Sequence, residues 1–550
     1  MTKFFYANLF KIILIGILCI SFILRFYQLG VNPPSLDWDE TSLGYNAYSI
    51  LKTGADEYGN FLPLSIRSFD DYKPAMYVYL AVPSIAVFGL NEFATRLPSA
   101  TLGFLSVIVI YLLTKEIFDN LEKDRREKLA LIAAFFYGVS PWALQFSRAA
   151  FEGNVGLFFF LLGFWLLILA LKKPKIIFIS ALSFVFSMYS YHSFRLVTPL
   201  FLLVYLIFYF KQIWTDKKYY LIAIVLAAIM CLPIGLSFFG TSGSAARLDM
   251  VSVFTDPNAL GNSVNELAYD QSHGDWLGTI VHNRRIVYSL LIAKSYFAHW
   301  NPDFLFFHGD GGVQHHAVDM GMLYLWDLPF ILIGVFMLLK KRTKNTLLLL
   351  VLFLIAPLPA AISTGAPHPV RAIAMSPAFS IFTACGFFYL FFNEAKTGKK
   401  VLLLIVSVLF LVNFVYYLHQ YYIDTPVWYG YFWQYGNKQA VAEAKSLENK
   451  YQKVIFTYQY DQPYIYYLFY DKIDPAWYQK HWNFLGTGQV PRMERVIGKY
   501  DFRNIDWGKD SQLKDTLLIG SPSEIPANTN GLIDTIYYLN GQVAYRIVGT

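Results

Sequence analysis

The sequence predicts an all-α polytopic membrane protein with a small α/β domain at its C-terminal end. Of its 550 residues, 56% are hydrophobic and 15% are charged, whereas soluble globular proteins carry roughly 25% charged residues. The apolar residues gather in runs long enough to cross a bilayer. Residues 421–550 are more polar and combine strand-like runs with helix-like runs, which is typical of a small α/β domain.

The apolar runs predict about eleven transmembrane helices within residues 1–420. A helix that crosses the hydrocarbon core needs about 20 residues at a rise of roughly 1.5 Å each. The first run is not followed by a small-residue cleavage site, so it predicts an uncleaved span and not a signal peptide. The predicted spans are residues 9–27, 96–113, 129–146, 154–171, 176–190, 196–211, 219–237, 328–340, 346–362, 372–392 and 401–419.

Short basic loops predict how the chain is oriented in the cell membrane. Loops rich in lysine and arginine prefer the cytoplasmic side, and much of the formal net charge of +7 lies in them, which indicates membrane orientation and not nucleic acid binding. The N-terminus is then cytoplasmic. The first loop (28–95), a long loop (238–327) and the C-terminal domain (421–550) are extracytoplasmic. The basic loops are Lys115–Lys128, Lys172–Lys175, Lys211–Lys218, Lys340–Lys344 and Lys396–Lys400.

Segment 74–89 is the one apolar run that does not fit this alternation. A crossing there would place every later basic loop outside. The segment is short and contains Pro83, so we expect a juxtamembrane or re-entrant helix that does not cross.

Three carboxylates follow the first predicted span in the sequence Asp37-Trp-Asp39-Glu40. A helical pattern begins there and stops at Gly54. A helix N-cap needs only one carboxylate, so capping by Asp39 alone would not explain the motif. A carboxylate at the membrane surface can act as a general base toward a sugar or lipid hydroxyl, or it can hold a divalent metal beside a phosphate.

Cations stand where further predicted helices meet the same face. In Asp70-Asp71-Tyr72-Lys73-Pro74, the proline suits the first position of a helix, and both the ammonium and the helix N-terminus favour an anion. Snorkelling and ion pairing are the alternatives for such side chains. The candidate phosphate-binding residues are Lys73, Arg148, Arg195 and Arg371, and the candidates for a second acidic or acceptor-binding element are Asp37, Asp71, Glu152 and His192.

Cysteines and histidines identify no cofactor. Cys19, Cys231 and Cys385 lie in apolar runs and show neither disulfide nor zinc spacing. The pair His315-His316 has no third ligand at a diagnostic spacing. The sequence thus assigns no metal site, although it does not exclude a divalent metal at the acidic motif.

The succession of motifs over residues 30–200 resembles the dolichyl-phosphate-mannose–protein mannosyltransferases (glycosyltransferase family 39) and their bacterial relatives that transfer aminoarabinose to lipid A. An acidic pair after the first span is followed by a helix with Tyr45 and the Gly54 stop. The Lys73-Pro74 element comes next, and then Gly89-Leu-Asn-Glu-Phe-Ala-Thr-Arg-Leu-Pro-Ser-Ala100. The hydrophobic architecture extends the resemblance to about residue 420.

The resemblance implies a membrane fold of the GT-C type, a polyprenyl-phosphate sugar donor and inversion at the anomeric carbon. It implies that Asp39 is the catalytic base or acceptor-orienting group with Glu40 beside it, and that Lys73 contacts the donor phosphate. Glu152 stands where the family carries a second acidic residue, although Arg148-Ala-Ala-Phe precedes it here. The C-terminal domain does not resemble the repeat domains of the eukaryotic members, which counts against a protein acceptor. The expected acceptor is a hydroxyl of a lipid, a glycan or a protein.

Two other functions are compatible with the sequence. One is an oligosaccharyl- or phospho-group transferase that acts on a lipid-linked substrate. The other is a transporter or flippase of lipid-linked sugars. Transporters place polar groups at mid-membrane on broken helices and often have paired repeats. Here the charges gather at one face, which favours a transferase.

Overall fold

The computed structural model describes residues 2–69, 71–238, 250–392, 399–481, 483–484 and 495–550. Asp70, part of the predicted long loop and Lys396 lie outside these ranges. The α-helices, numbered in chain order, are α1 (Thr2–Phe26), α2 (Trp38–Thr53), α3 (Met76–Phe88), α4 (Glu92–Ile117), α5 (Lys123–Val139), α6 (Pro141–Arg148), α7 (Glu152–Ala170), α8 (Ile177–Ser190), α9 (Phe194–Thr215), α10 (Lys217–Leu236), α11 (Ser263–His273), α12 (Trp276–Val281), α13 (Arg284–Ala298), α14 (Asp327–Lys340), α15 (Lys344–Ile355), α16 (Leu358–Ala361), α17 (Ser376–Phe392), α18 (Lys399–His419), α19 (Thr425–Trp428), α20 (Asn437–Leu447), α21 (Pro463–Tyr470), α22 (Pro475–His481) and α23 (Trp507–Asp510). The strands are β1 (Ser65–Ser68), β2 (Asp71–Pro74), β3 (Lys453–Phe456), β4 (Asn483–Phe484), β5 (Arg495–Ile497), β6 (Tyr500–Phe502), β7 (Thr516–Gly520), β8 (Leu532–Tyr537) and β9 (Val543–Gly549).

Helices long and apolar enough to cross a membrane dominate the chain. The described ranges contain eight of them, or nine if α5 and α6 count as one span bent by 55°. The bend lies at Pro141, whose ring cannot continue the preceding helical hydrogen bonds. The predicted spans 176–190 and 328–340 coincide with α8 and α14, which have 14 residues each and are therefore only about 21 Å long. Nine of the eleven predicted spans thus have the length and composition of a crossing.

The helix α3 is the apolar segment that was predicted not to cross. It has 13 residues, about 20 Å at the usual helical rise, which is shorter than the hydrocarbon core of about 30 Å. Its length agrees with the juxtamembrane or re-entrant helix expected there.

Residues 1–25, 102–147 and 152–417 form one compact unit, unit 1. Its helices α14 and α17 pack through glycines. A Cβ added at Gly334 would lie 2.0 Å from the carbonyl oxygen of Phe382, and one added at Gly386 would lie 2.0 Å from the carbonyl oxygen of Phe330. Helices in a membrane gain little from hydrophobic burial against each other, and small residues allow the close backbone approach that holds them together. These two glycines therefore fix the pair of helices.

Residues 26–101, 148–151 and 418–550 form unit 2, which contains the first loop and the C-terminal domain. The domain has a seven-stranded sheet in the order β4-β5-β6-β3-β7-β9-β8. Strand β3 is parallel to β6 and β7, with Lys453 opposite Thr516, and the other pairs are antiparallel. Strands β3, β7 and β9 and helices α20 and α21 match the strand-like and helix-like runs of the sequence. The domain boundary at residue 421 stays a prediction.

Within unit 2, the helix α2 packs against α21 and α22. The Tyr45 hydroxyl donates to the carbonyl oxygen of Ile473 at 3.1 Å, and the Gln479 side-chain amide donates to the carbonyl oxygen of Asp56 at 2.8 Å. Gly44 lies so close to α21 that an added Cβ would be 2.6 Å from a ring atom of Phe469. The helix that carries the acidic motif is therefore held along its length.

Candidate functional site

The N-terminus of α2 is closed by Asp37. Its carboxylate accepts a hydrogen bond from the backbone N–H of Glu40 at 2.7 Å, and the Glu40 carboxylate accepts one from the backbone N–H of Asp37 at 3.4 Å. This reciprocal pair is a capping box. Burial, together with the charges of Glu40 and Asp39, raises the pKa of Asp37 well above its usual range. The capping role therefore belongs to Asp37 and not to Asp39.

Glu40 forms a buried ion pair with Arg96. The Arg96 guanidinium donates from Nε to Glu40 Oε1 at 2.9 Å and from Nη2 to Oε2 at 2.8 Å. The backbone N–H of Ala150 donates to Oε1 at 2.7 Å. The exposed fractions are 3% for Glu40 and 0% for Arg96, and a buried pair of charges is stable only when such hydrogen bonds are complete.

Arg96 also ties down the chain that leads into α2. Its guanidinium donates to the carbonyl oxygens of Pro33 at 2.9 Å and Ser35 at 2.5 Å. The same side chain thus binds the loop before α2 and the third residue of that helix. Glu40 and Arg96 fix the backbone that presents the acidic motif.

Asp39 differs from its two neighbours because its side chain is 49% exposed. It forms an ion pair with the ammonium of Lys73, which is only 11% exposed. The Lys73 ammonium also lies 5.6 Å from the centre of the Phe69 ring. Of the three carboxylates in the motif, Asp39 is the one whose oxygens can meet a molecule from outside.

The position of Lys73 differs from the one that the sequence predicted. Lys73 and Pro74 belong to β2, and α3 begins at Met76 with Ala75 as its N-cap. The prediction that Pro74 occupies the first helical position is wrong, because residues 71–74 pair with residues 65–68 as antiparallel strands and the helix starts only after them. Asp71 opens β2, is buried, and accepts a hydrogen bond from the backbone N–H of Tyr72 at 2.7 Å.

Arg148 lies inside unit 2 among aromatic side chains. Its exposed fraction is 1%. It donates from Nε to the Tyr421 hydroxyl at 3.0 Å and from Nη2 to the carbonyl oxygen of Asn32 at 2.9 Å. The guanidinium lies 5.2 Å from the ring centres of Tyr421 and Tyr422. These contacts are structural, and the role of Arg148 toward a phosphate stays a prediction.

Unit 1 contains a cavity of about 290 Å³ that brings three predicted residues together. They are His192, Arg195 and Arg371. Arg371 donates from Nη1 to the Ser363 hydroxyl at 2.6 Å and to the carbonyl oxygen of Thr364 at 2.7 Å. Arg195 donates from Nε to the carbonyl oxygen of Met188 at 3.2 Å. Both guanidinium groups are thus oriented by the protein at the cavity wall.

The rest of the cavity wall is mainly apolar. It includes side chains of Leu196, Phe238, Val251, Pro359 and Ile362. Guanidinium groups bind phosphate oxygens with a matching fork of donors, and apolar walls suit a hydrocarbon chain. The chemistry of the cavity therefore fits an anionic head joined to an apolar tail.

Glu152, the last predicted residue of unit 1, is half-buried in the first turn of α7, where the helix dipole favours a carboxylate.

Glu57 forms a buried network that the sequence did not indicate. Its backbone N–H donates to the Asn46 side-chain oxygen at 2.9 Å, and the Asn46 amide donates back to Glu57 Oε1 at 3.2 Å. Burial raises the pKa of Glu57 to about 7, and the charge of Arg495 opposes this shift. The network joins the middle of α2 to the loop that follows it.

Histidines of the long loop form local hydrogen bonds. His315 Nδ1 lies 2.8 Å from Asp310 Oδ2, and His299 Nε2 accepts from the backbone N–H of His368 at 3.0 Å. Burial lowers the pKa of His299. In the part of the chain that the structure describes, no group of three or more histidine, cysteine or acidic side chains is placed to hold a metal ion.

Comparison with known proteins supports the predicted resemblance. Residues 72–236 match the family model described as dolichyl-phosphate-mannose-protein mannosyltransferase. Two Bacillus subtilis (strain 168) proteins named as candidate mannosyltransferases also match: YkcB is 28% identical over 166 residues, and YycA is 26% identical over 219 residues. These matches cover 30% and 38% of this chain, and the chain spans 22% and 29% of the two relatives.

Solved structures extend the likeness to the whole chain. ArnT from Cupriavidus metallidurans in the apo state aligns with a TM-score of 0.53 at 11% identity, over 100% of this chain and 98% of that chain. The oligosaccharyltransferase AglB from Archaeoglobus fulgidus, in complex with an inhibitory peptide and a dolichol-phosphate, aligns with a TM-score of 0.52 at 12% identity, over 85% of this chain and 64% of that chain. At these identities the likeness establishes the fold. The predicted resemblance and the GT-C fold class are confirmed.

The buried carboxyl of Glu57 leads to a prediction about how the stability of the protein depends on pH. Its pKa is raised from an ordinary value of 4.5 to about 7, so the folded protein holds this proton more tightly than the unfolded chain does. The contribution to stability is present at low pH and is lost as the pH rises from about 4.5 to about 7, by about 3 kcal/mol. We expect Glu57→Gln to remove this loss. The free energy of unfolding of the variant should therefore increase relative to that of the wild type as the pH rises.

The measurement is the free energy of unfolding in detergent micelles between pH 4.5 and 8. Glu122→Gln, at an exposed position, is the matched control and should follow the wild-type curve. Parallel curves for Glu57→Gln and the wild type would contradict the burial of this proton.

Proposed function

We propose that this protein is a membrane glycosyltransferase that moves a sugar from a polyprenyl-phosphate carrier to a hydroxyl of a lipid, glycan or protein acceptor. The observation that carries the proposal is the cavity where Arg195, Arg371 and His192 meet mainly apolar walls. The match to the mannosyltransferase family model supports this class of reaction. The dolichol-phosphate complex of AglB, which shares the fold, supports a polyprenyl phosphate as the carrier.

In the proposed reaction, Arg195 and Arg371 hold the phosphate. Negative charge grows on the phosphate oxygens as the bond between the anomeric carbon and oxygen breaks, and fixed guanidinium donors stabilise that charge. Arg371 is already oriented by Ser363 and Thr364, so little reorganisation accompanies binding. The prenyl chain lies against the apolar wall, which a free sugar phosphate could not use.

We assign the general base to Asp39. Asp37 caps α2 and Glu40 is saturated by Arg96 and Ala150, whereas Asp39 is half-exposed and paired with Lys73. Asp39 would accept the proton of the acceptor hydroxyl while the oxygen of that hydroxyl forms its bond to the anomeric carbon. The prenyl phosphate leaves with the electrons of the bond that breaks, and the family resemblance implies inversion at that carbon.

Glu40 acts as a positioning residue in this mechanism. Its carboxylate oxygens accept from two guanidinium nitrogens and two backbone N–H groups, which leaves it poorly suited to take a proton from an acceptor. We further propose that the first loop and the C-terminal domain face outside the cytoplasm, since loops rich in lysine and arginine prefer the cytoplasmic side and the predicted spans alternate from there.

The first test replaces Asp39 by asparagine. A carboxamide cannot accept the proton, so we expect transfer to fall by about 10²–10⁴-fold while the unfolding temperature stays close to that of the wild type. The product is first identified by mass spectrometry of glycans and lipids from cells with and without the gene, and transfer is then measured in complemented cells. Glu122→Gln, an exposed control, should transfer normally. Full activity of Asp39→Asn would remove Asp39 as the base.

The second test replaces Arg371 or Arg195 by glutamine. Each change removes a charged hydrogen-bond donor worth about 1.5–3 kcal/mol, so binding of undecaprenyl phosphate should weaken by roughly 10–100-fold. Affinity is measured by native mass spectrometry of the purified protein. Lys175→Gln, at an exposed position away from the cavity, controls for the loss of one charge. Unchanged affinity in both arginine variants would exclude the cavity as the phosphate site.

A further inference from the structure

We propose that unit 1 has a second lipid site, which binds the headgroup of an anionic phospholipid at the basic-loop ends of the membrane helices. The site is a cavity of about 110 Å³. It lies where the segment between α4 and α5, the segment between α14 and α15, and the end of α17 meet. At about 30 Å³ for each water molecule, this volume holds roughly three or four waters, which is room for a headgroup phosphate and the carbons next to it but not for a whole lipid.

Cations from two of these segments line the cavity. Arg125 belongs to the first turn of α5, and Lys341 directly follows α14. The Arg125 guanidinium lies 5.4 Å from the centre of the Phe388 ring, a cation–π contact that orients a planar guanidinium. Two positive charges on separate segments can therefore converge on one anion.

Acidic side chains near these segments are partly neutralised by other lysines. Glu127 forms an ion pair with Lys115 at 2.6 Å, and Asp119 forms one with Lys172 at 2.9 Å. Each of these two carboxylates thus pairs with a lysine that is not part of the cavity lining. A lining with two cations favours an anion as its ligand.

The inner wall of the cavity is apolar and buried. It is formed by Leu129, Met337, Leu338 and Phe388, with Cys385 beside them. A free phosphate gains nothing from such a wall, whereas a phosphate that carries acyl chains gains from covering it. The combination of a half-buried arginine, an exposed lysine and a buried apolar wall therefore selects a lipid headgroup over an inorganic anion.

The wall is also firmly built, because it lies next to the glycine contacts of α14 and α17. Met337 is one turn beyond Gly334, and Cys385 precedes Gly386. Basic pockets between membrane helices on the cytoplasmic side are a known way to hold anionic lipid headgroups. The cavity shares no lining residue with the one that contains Arg195 and Arg371, so the two sites can be tested separately.

The test uses native mass spectrometry of the full-length protein released from bilayer nanodiscs. Nanodiscs contain phosphatidylglycerol or phosphatidylcholine with the same acyl chains. We expect the wild type to retain phosphatidylglycerol selectively. The double variant Arg125→Gln/Lys341→Gln should retain at least about tenfold less phosphatidylglycerol than the wild type, since each basic residue near an anionic lipid is worth about 1 kcal/mol. The control Lys173→Gln/Lys175→Gln removes two exposed charges elsewhere and should retain the lipid.

A second variant tests the cavity without changing charge. Cys385→Phe should fill it and reduce retention of phosphatidylglycerol, and its unfolding temperature without lipid shows whether it folds. Should it fail to fold, the charge variants decide. Retention of phosphatidylglycerol by Arg125→Gln/Lys341→Gln, equal loss in the control, or equal retention of phosphatidylcholine would each overturn the proposal. Displacement of the lipid by millimolar inorganic phosphate would show a free-phosphate site and would also overturn it.

Discussion

The buried ion pair between Glu40 and Arg96 is the interaction on which the candidate site depends. Removing two charges from water costs several kcal/mol for each ion, at order of magnitude, and this cost is offset only by complete hydrogen bonding. The Arg96 guanidinium offsets this cost by donating hydrogen bonds to both carboxylate oxygens of Glu40 and to the carbonyl oxygens of Pro33 and Ser35. The loop before α2 cannot move away without leaving buried N–H donors of the Arg96 guanidinium without acceptors.

Helix geometry explains how one short motif can serve three purposes. Successive residues of a helix point about 100° apart, so neighbouring carboxylates need not face the same surroundings. Asp37 lies just before the helix and bonds to its end, while Glu40 turns inward to Arg96. Asp39 lies between them and turns toward Lys73 and the exterior. A cluster of acids that looks redundant in sequence is therefore a cap, an anchor and a reactive group.

The sequence predicted features that depend on local pattern or on the ends of apolar runs. Hydropathy located the helices, the Gly54 stop is the left-handed C-cap of α2, and the span ends carry the residues that meet in the cavity, such as Arg195 and Arg371. Features that depend on distant partners were missed. Arg96 bonds a carboxylate 56 residues away, and although it appears in the motif that carries the resemblance, nothing local identifies its partner. A charged residue near a span end needs a partner, which is the signal that could have singled it out.

Short strands and the lengths of two membrane helices were the other features that the sequence did not predict correctly. The hairpin β1–β2 has four residues in each strand, too few for a clear alternating pattern, and it shifted the start of α3 away from Pro74. The runs at α8 and α14 are as apolar as longer spans, so hydropathy counted them as crossings although the predicted runs 176–190 and 328–340 were already shorter than about 20 residues. Sequence therefore located the acidic and basic elements, whereas the division of roles among them came from burial and hydrogen bonding.

A double-mutant cycle on Glu40 and Arg96 tests this division most directly. Glu40→Gln, Arg96→Met and the double variant are compared in free energy of unfolding and in sugar transfer per folded molecule. Each single change should cost about 3–5 kcal/mol by leaving a buried charge unpaired. The double variant should cost at least about 1 kcal/mol less than the sum, and transfer per folded molecule should change less than tenfold. Wild-type stability of Glu40→Gln together with a hundredfold or greater loss of transfer would contradict the account, because it would make Glu40 the reacting group.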